Sequence, residues 1–237
     1  GLGRTIEALM VLQAASAFPA VVVCPASLVY NWQREARKWL PSKKIMVLPS
    51  APSWATEIAD VIIVNYDKLV PRKAVSATGT AVQVRKEVQL REDLMRLVDG
   101  NRLRAVILDE SQFVKSGAAR RTKACRRLAS GVEYRMLLTA TPVLNRPSEL
   151  VAPLGILGRL DDLGGFRKVM SLGAVKGRFG WQDATPKIGQ LAEFHRQLRA
   201  CCFIRRTKAE VLSEMPPVQS STIILPIDNR EEYERAE

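Results

Sequence analysis

Apolar residues in this chain fall into short unbroken runs separated by longer stretches in which they recur every three or four positions. Ala20–Cys24 (AVVVC), Lys44–Leu48 (KIMVL), Asp60–Val64 (DVIIV), Ala105–Leu108 (AVIL) and Arg135–Thr139 (RMLLT) read as strands. A run without polar alternation suits a strand covered on both faces, so these segments predict a mostly parallel sheet. Between them, Ile6, Leu9, Met10 and Gln13 begin a helix with one apolar face. Leu28, Trp32, Ala36 and Leu40 mark a second, with Ser27 placed to cap it. Leu90, Leu94, Leu97 and Val98 mark a third that stops at Gly100, and further helices are predicted over Ala118–Leu128 and Ile188–Cys202. Pro71–Lys86 is small and polar and reads as an inserted loop or short hairpin. Strands alternating with helices define an α/β class.

The run at 105–108 delivers two adjacent carboxylates, Asp109 and Glu110, at its end. Ligands collect at the carboxyl ends of strands in open α/β sheets, so the pair sits where chemistry is expected. Asp109 suits a nucleotide-bound Mg²⁺, directly or through water, and Glu110 would polarise an attacking water. Alone, the dipeptide reads equally as a surface turn. Its company is the N-terminal GLGRT, where Gly1 and Gly3 allow the backbone to approach phosphate, Arg4 brings positive charge and Thr5 offers a hydroxyl to Mg²⁺. That segment reads as the back half of a phosphate loop, with its first glycine and strand expected upstream of residue 1, or as a glycine-rich helix start with no nucleotide. Thr139 and Thr141 follow another strand, placed to sense a terminal phosphate or merely to form a hydroxyl-rich turn.

Charge adds a partner. Lys and Arg number 36 against 24 Asp and Glu, a net +12 spread along the chain. A polyanion is the economical explanation, set against a generally soluble basic protein. The helix carrying Arg120, Arg121, Lys123, Arg126 and Arg127 either lies against phosphates or faces water. Four cysteines without C-x-x-C spacing and one histidine argue against a zinc site or a disulfide framework. No apolar run approaches membrane-span length and the start resembles no signal peptide, so the expected location is intracellular.

GLGRT, VVVCPASLVYNWQREARKW, VIIVNYDKL, VILDESQFVKS, LLTATPVLNRPSEL and CCFIRRTKAEVLSEMPP occur in the order and approximate spacing of the Swi/Snf family of helicase-like, DNA-dependent ATPases of helicase superfamily two. FRKVM…GRFGWQ resembles the branch holding annealing helicases and their bacterial and phage relatives. The resemblance implies a RecA-like P-loop NTPase lobe with a small helical insertion: a lobe over 1–155, a helical region over 156–212 ending in FIRRTK, and a linker over 213–237 toward a second RecA-like lobe. It implies ATP and Mg²⁺ as cofactors and double-stranded or branched DNA as partner. Location would be cytoplasm or nucleoid in a bacterial or phage protein and the nucleus in a eukaryotic one.

Carried over by residue, Gly1, Gly3, Arg4 and Thr5 match the phosphate loop, and Asp109 and Glu110 match the acidic motif. Gln112, Thr139 and Thr141 match the coupling segments, and Ser27, Tyr66, Arg205 and Arg206 match segments that track DNA or couple the lobes. Arg4 replaces the usual lysine, Gln112 the commoner histidine and Ala140 the commoner glycine, and the second-lobe arginine finger is not among these residues. The implied function is the N-terminal ATPase lobe of a duplex-DNA translocase. A non-hydrolysing nucleic-acid-binding module and an RNA helicase lobe are the alternatives.

Overall fold

The computed structural model describes residues 3–71, 90–177, 180–183, 188–211, 214 and 235. The expected insertion at Pro71–Lys86 lies, Pro71 apart, outside them. Five predicted strands form: β1 (Ala20–Cys24), β2 (Ile45–Val47), β3 (Val61–Asn65), β4 (Ala105–Asp109) and β5 (Tyr134–Leu138). All pair in parallel, in the order β2-β3-β1-β4-β5. Val22 lies level with Ile63 on one side and Ile107 on the other, and Asp109 lies level with Leu138.

Two helical layers cover this sheet, and the twofold alternation of strand side chains decides which residues meet which layer. Val22, Cys24, Ile63 and Ile107 face α1 (Arg4–Ala14) and α2 (Val29–Trp39), packing on Leu9, Leu12, Trp32 and Ala36. Val21, Val23, Ile62, Val64, Val106 and Leu108 point the other way, toward Leu94 and Leu97 of α3 (Glu92–Asp99) and Ala124, Cys125 and Leu128 of α4 (Arg120–Leu128). Burial on both faces explains why these strands carry no polar alternation.

Beyond β5, α5 (Val151–Leu157), α6 (Gly165–Ser171) and α7 (Ile188–Cys201) build a separate apolar cluster from Leu154, Leu163, Val169, Leu172, Phe194 and Leu198. A two-stranded antiparallel hairpin, β6 (Ala174–Gly177) with β7 (Gly180–Asp183), accompanies them, and the sequence reading predicted no strands there. By contact the chain divides into one compact unit over Gly1–Phe203 and another over Ile204–Glu237. The second contains α8 (Lys208–Val211), where the Glu210 carboxylate accepts from the Thr207 N–H and Thr207 Oγ1 accepts from the Glu210 N–H, a reciprocal cap. No helix among the described residues is long and apolar enough to cross a membrane.

Two helix starts differ from expectation. Ser27 does not cap α2: it sits exposed inside a 3-10 turn over Ala26–Leu28, and α2 begins behind Leu28 with no side-chain cap. Pro25, fixed at φ −55°, opens that turn before the serine is reached. Leu90 is buried but lies outside α3, because the Arg91 N–H is taken by the Leu69 carbonyl and the chain becomes helical only at Glu92.

Arg91 and Asp93 form an ion pair at 2.6 Å with side chains 6% and 0% exposed. The guanidinium also donates to the carbonyls of Pro49, Ser50 and Ala51, and Asp93 accepts from the N–H groups of Ser53 and Leu94. One buried pair therefore satisfies the loop after β2. Removing one partner strands a buried charge, so Asp93→Ala should lower unfolding stability by about 3–5 kcal/mol in urea denaturation. A loss below about 1 kcal/mol would contradict that accounting.

Candidate active site

β4 ends at Asp109, which is 8% exposed and held from three directions. The Trp32 indole N–H, from α2, donates to Asp109 Oδ2 at 2.7 Å. The Glu110 N–H donates to Oδ1 at 3.0 Å, and the Tyr66 hydroxyl, just beyond β3, donates to the Asp109 carbonyl at 2.8 Å. Burial, and after it the neighbouring Cys125 and Asp109, pushes the Tyr66 phenol strongly upward, so it remains a donor. Cys24, at the end of β1, is pushed up to about 12 by burial and by the Asp109 charge, and stays a thiol.

Glu110 leaves the strand in a left-handed conformation, φ 50° and ψ 54°. A side chain there costs roughly 1–3 kcal/mol and persists only where its surroundings fix it. The carboxylate enters a polar line. Gln112 Nε2 donates to Glu110 Oε2 at 2.8 Å, Thr139 Oγ1 donates to Gln112 Oε1 at 2.8 Å, and the Thr141 N–H donates to Thr139 Oγ1 at 3.0 Å. The end of β4 and the residues after β5 are thus joined through one amide side chain.

Arg4 approaches from the start of α1, its Nη2 lying 3.9 Å from Glu110 Oε1. Its Nη1 is buried without a hydrogen-bond partner. Gly3, the N-cap of α1, has φ +80° and open space where a Cβ would stand. An orphaned cationic donor beside a glycine helix start fits an anionic phosphate oxygen. Thr5 is half-buried in the first turn of α1 and makes no side-chain hydrogen bond among the described residues. Gly1 lies outside those residues.

The residues expected at DNA fall differently. Ser27 is exposed. Tyr66 is only 3% exposed, with its hydroxyl already used by Asp109, so its side chain presents no surface for a direct contact. Arg205 and Arg206 are exposed and belong to the second unit. Trp32 was read only as a core residue, yet it is a ligand of the key carboxylate. A buried indole N–H needs an acceptor, and that requirement was the available signal.

Residues 1–234 match the family described as SNF2-related domain. The chain belongs to that family. This SNF2-related chain is 26% identical over 234 residues to the Xenopus tropicalis protein named SWI/SNF-related matrix-associated actin-dependent regulator of chromatin subfamily A-like protein 1, covering 95% of the chain and 22% of the relative. It is 30% identical over 223 residues to the Mus musculus DNA annealing helicase and endonuclease ZRANB3, covering 92% and 19%. The chain therefore spans about a fifth of the length of these curated relatives. Among solved structures, the Sulfolobus solfataricus SWI2/SNF2 ATPase core domain shares the fold with a TM-score of 0.63 at 22% identity, covering 91% of this chain and 40% of that one. The same core in complex with dsDNA gives 0.56 at 23%, covering 90% and 39%. The parallel sheet with flanking helices thus has a RecA-like fold, shared with that core domain.

The loop after Thr141 has its own anchor. Glu149 accepts from the N–H groups of Leu144 and Asn145 through Oε2 and pairs with Lys115 at 3.2 Å through Oε1. A cleft of about 580 Å³ lined by Lys115, Arg126, Glu149, Phe166 and Met170 opens beside this anchor, clear of Arg4, Asp109 and Glu110. Burial alone would raise the Glu149 carboxyl, but the two N–H groups and Lys115 outweigh it and the net shift is downward.

Two outcomes follow. Trp32→Phe keeps the buried ring and removes the donor to Asp109, and should lower unfolding stability by about 1.5–3 kcal/mol, the worth of a hydrogen bond to a charged group, read by urea denaturation. A depressed carboxyl stabilises the fold above its unfolded-state value, about 4.3, and that contribution disappears as pH falls through the lower folded value. Denaturant midpoints of wild type and Glu149→Gln should therefore differ at pH 7 and begin to draw together as pH falls below about 4.3.

Proposed function

We propose that this chain is the N-terminal ATPase lobe of an ATP-dependent double-stranded DNA translocase or remodeller, acting on duplex or branched DNA without having to separate strands. The observation that carries the reading is the meeting at Glu110 of Arg4 from the glycine helix start and of the Gln112–Thr139 line from the end of β5. A carboxylate so placed touches the element that would hold phosphate and the element that would respond to its loss. The printed names of the relatives, a DNA annealing helicase and a SWI/SNF-related regulator, and the duplex bound to the archaeal core support DNA as the partner.

Gly1, Gly3, Arg4 and Thr5 would hold the ATP phosphates, and Thr5 with Asp109 would hold Mg²⁺. Bound Mg²⁺ supplies charge neutralisation on the phosphates. Asp109 is prepared for that role because Trp32 and the Glu110 N–H fix its carboxylate, leaving outward lone pairs. Glu110 orients a water and takes its proton on Oε1, the oxygen that Gln112 leaves unused. Ser27, Arg205 and Arg206 contribute to DNA tracking or lobe coupling. The lobe spans 1–155 and the helical region 156–212. Residues 213–237 lead to a second RecA-like lobe, whose arginine finger typically contributes roughly 10³–10⁵ in rate.

One observation favours a non-hydrolysing DNA-binding module: Arg4 lies close enough to Glu110 to hold it as an ion pair rather than leave it for water. The full-length protein separates the two. Glu110→Gln should bind ATP as before and lose at least about a hundredfold in turnover, whereas Asp109→Ala should also lose Mg²⁺-dependent binding. Undiminished duplex-stimulated hydrolysis in Glu110→Gln removes the assignment. Arg4→Lys should equal or exceed wild type, and a protein inert in both forms that still binds duplex belongs to the second reading.

Duplex affinity should also fall steeply and linearly in log–log with salt, with no preferred base sequence. Binding indifferent to salt, or confined to one sequence, is incompatible with a translocase.

A further inference from the structure

Tyr66 cannot reach DNA, yet it is bonded to the catalytic turn, and what lies on its other side is exposed. The Phe113 ring stacks on the Tyr66 ring, centroids 5.4 Å apart and planes 9° from parallel. Phe113 is 42% exposed, an unusual place for a phenylalanine. The Arg121 guanidinium lies over the Phe113 ring, 5.6 Å from its centroid. No carboxylate is within ion-pair distance of Arg121 among the described residues. Arg121 belongs to α4, a nine-residue helix with five Lys or Arg and no Asp or Glu, whose apolar positions are buried in the sheet layer. Arg120, Lys123 and Arg126 are exposed beside it. A continuous file thus runs from an exposed cationic helix through two rings to the carbonyl of Asp109, one residue before the strained Glu110.

Arginine can stack by its flat face while its edge donates to an oxyanion, a division of contacts that a lysine ammonium does not offer. A phosphate on the outer edge of Arg121 would immobilise the guanidinium against Phe113, hold Phe113 on Tyr66 and so fix the Tyr66 bond to the Asp109 carbonyl. On the reading that the chain is a duplex-DNA-stimulated ATPase lobe, we propose that Phe113 is a positioning residue that transmits duplex phosphate bound at Arg121 on α4 to the Asp109–Glu110 turn. The same file would let Tyr66 bear on DNA coupling while remaining buried. It also gives the charged face of α4 a task beyond solubility.

The test uses the full-length protein, a random-sequence duplex and steady-state ATP hydrolysis. Phe113→Ala should lower kcat at saturating duplex by about tenfold, the rate equivalent of one aromatic pair, while the KM for ATP stays within about twofold. Phe113→Tyr, which keeps the ring, should restore kcat. Arg121→Ala should raise the duplex concentration for half-maximal stimulation and reduce the salt slope of binding by about one. A Phe113→Ala variant with wild-type kcat at saturating duplex overturns the inference, as does one whose loss Phe113→Tyr fails to rescue. Loss that appears equally in ATP affinity and in thermal stability also overturns it, since that is the signature of a merely structural ring. A wild type that hydrolyses ATP with no response to duplex overturns the proposed function and this inference together. A stimulated wild type with an unaffected Phe113→Ala overturns the inference alone.

Discussion

Asp109 carries three hydrogen bonds from three elements, and the site depends on that junction more than on any other contact. Trp32 commits α2 to the carboxylate, Tyr66 commits the end of β3 to the carbonyl, and the Glu110 N–H closes the turn. Each donor is buried or half-buried, so each would be expensive to leave unmade. The apolar layers below set where these elements lie to within a side chain. The polar junction sets where they lie to within a bond length, which is the tolerance catalysis needs.

Adjacent carboxylates are thereby given different characters. Asp109 is almost fully buried and its position is over-determined; Glu110 is half-buried, in a conformation it would not choose, and held by a neutral amide and by a guanidinium 3.9 Å away. The first is fixed by two donors on its carboxylate, and the second by one hydrogen bond and a longer ion contact. That division follows from a single change of backbone conformation between residues 109 and 110, since a continued strand would have sent Glu110 to the opposite face of the sheet.

Much of this was legible in the chain. The five apolar runs became five parallel strands with ends shifted by at most one residue, and the trace is plainest in β1, β3 and β4, which are buried on both faces. The carboxylate pair and the glycine helix start were visible as residue types, and their meeting through Arg4 was visible only once folded. Three features escaped. Ser27 seemed a cap because serine favours that role, but Pro25 started the turn first. Apolar spacing marks Trp32 as core because it describes which way a side chain points and says nothing of what its polar tip bonds, and Tyr66 is marked as a DNA contact only by the family resemblance. The hairpin at 174–183 was missed because its strands are four residues each, too short for alternation to register.

The amide of Gln112 has one further consequence. Its two ends are chemically distinct, N–H to Glu110 and carbonyl toward Thr139, and turning the amide over would set its oxygen against the Glu110 carboxylate and lose that bond. It also cannot titrate. An imidazole in the same place would become a double donor as pH dropped through about 6.5 and would lose its capacity to accept from a threonine hydroxyl. With glutamine, the amide between the two strand ends keeps the same donors and acceptors in acidified and alkaline surroundings alike.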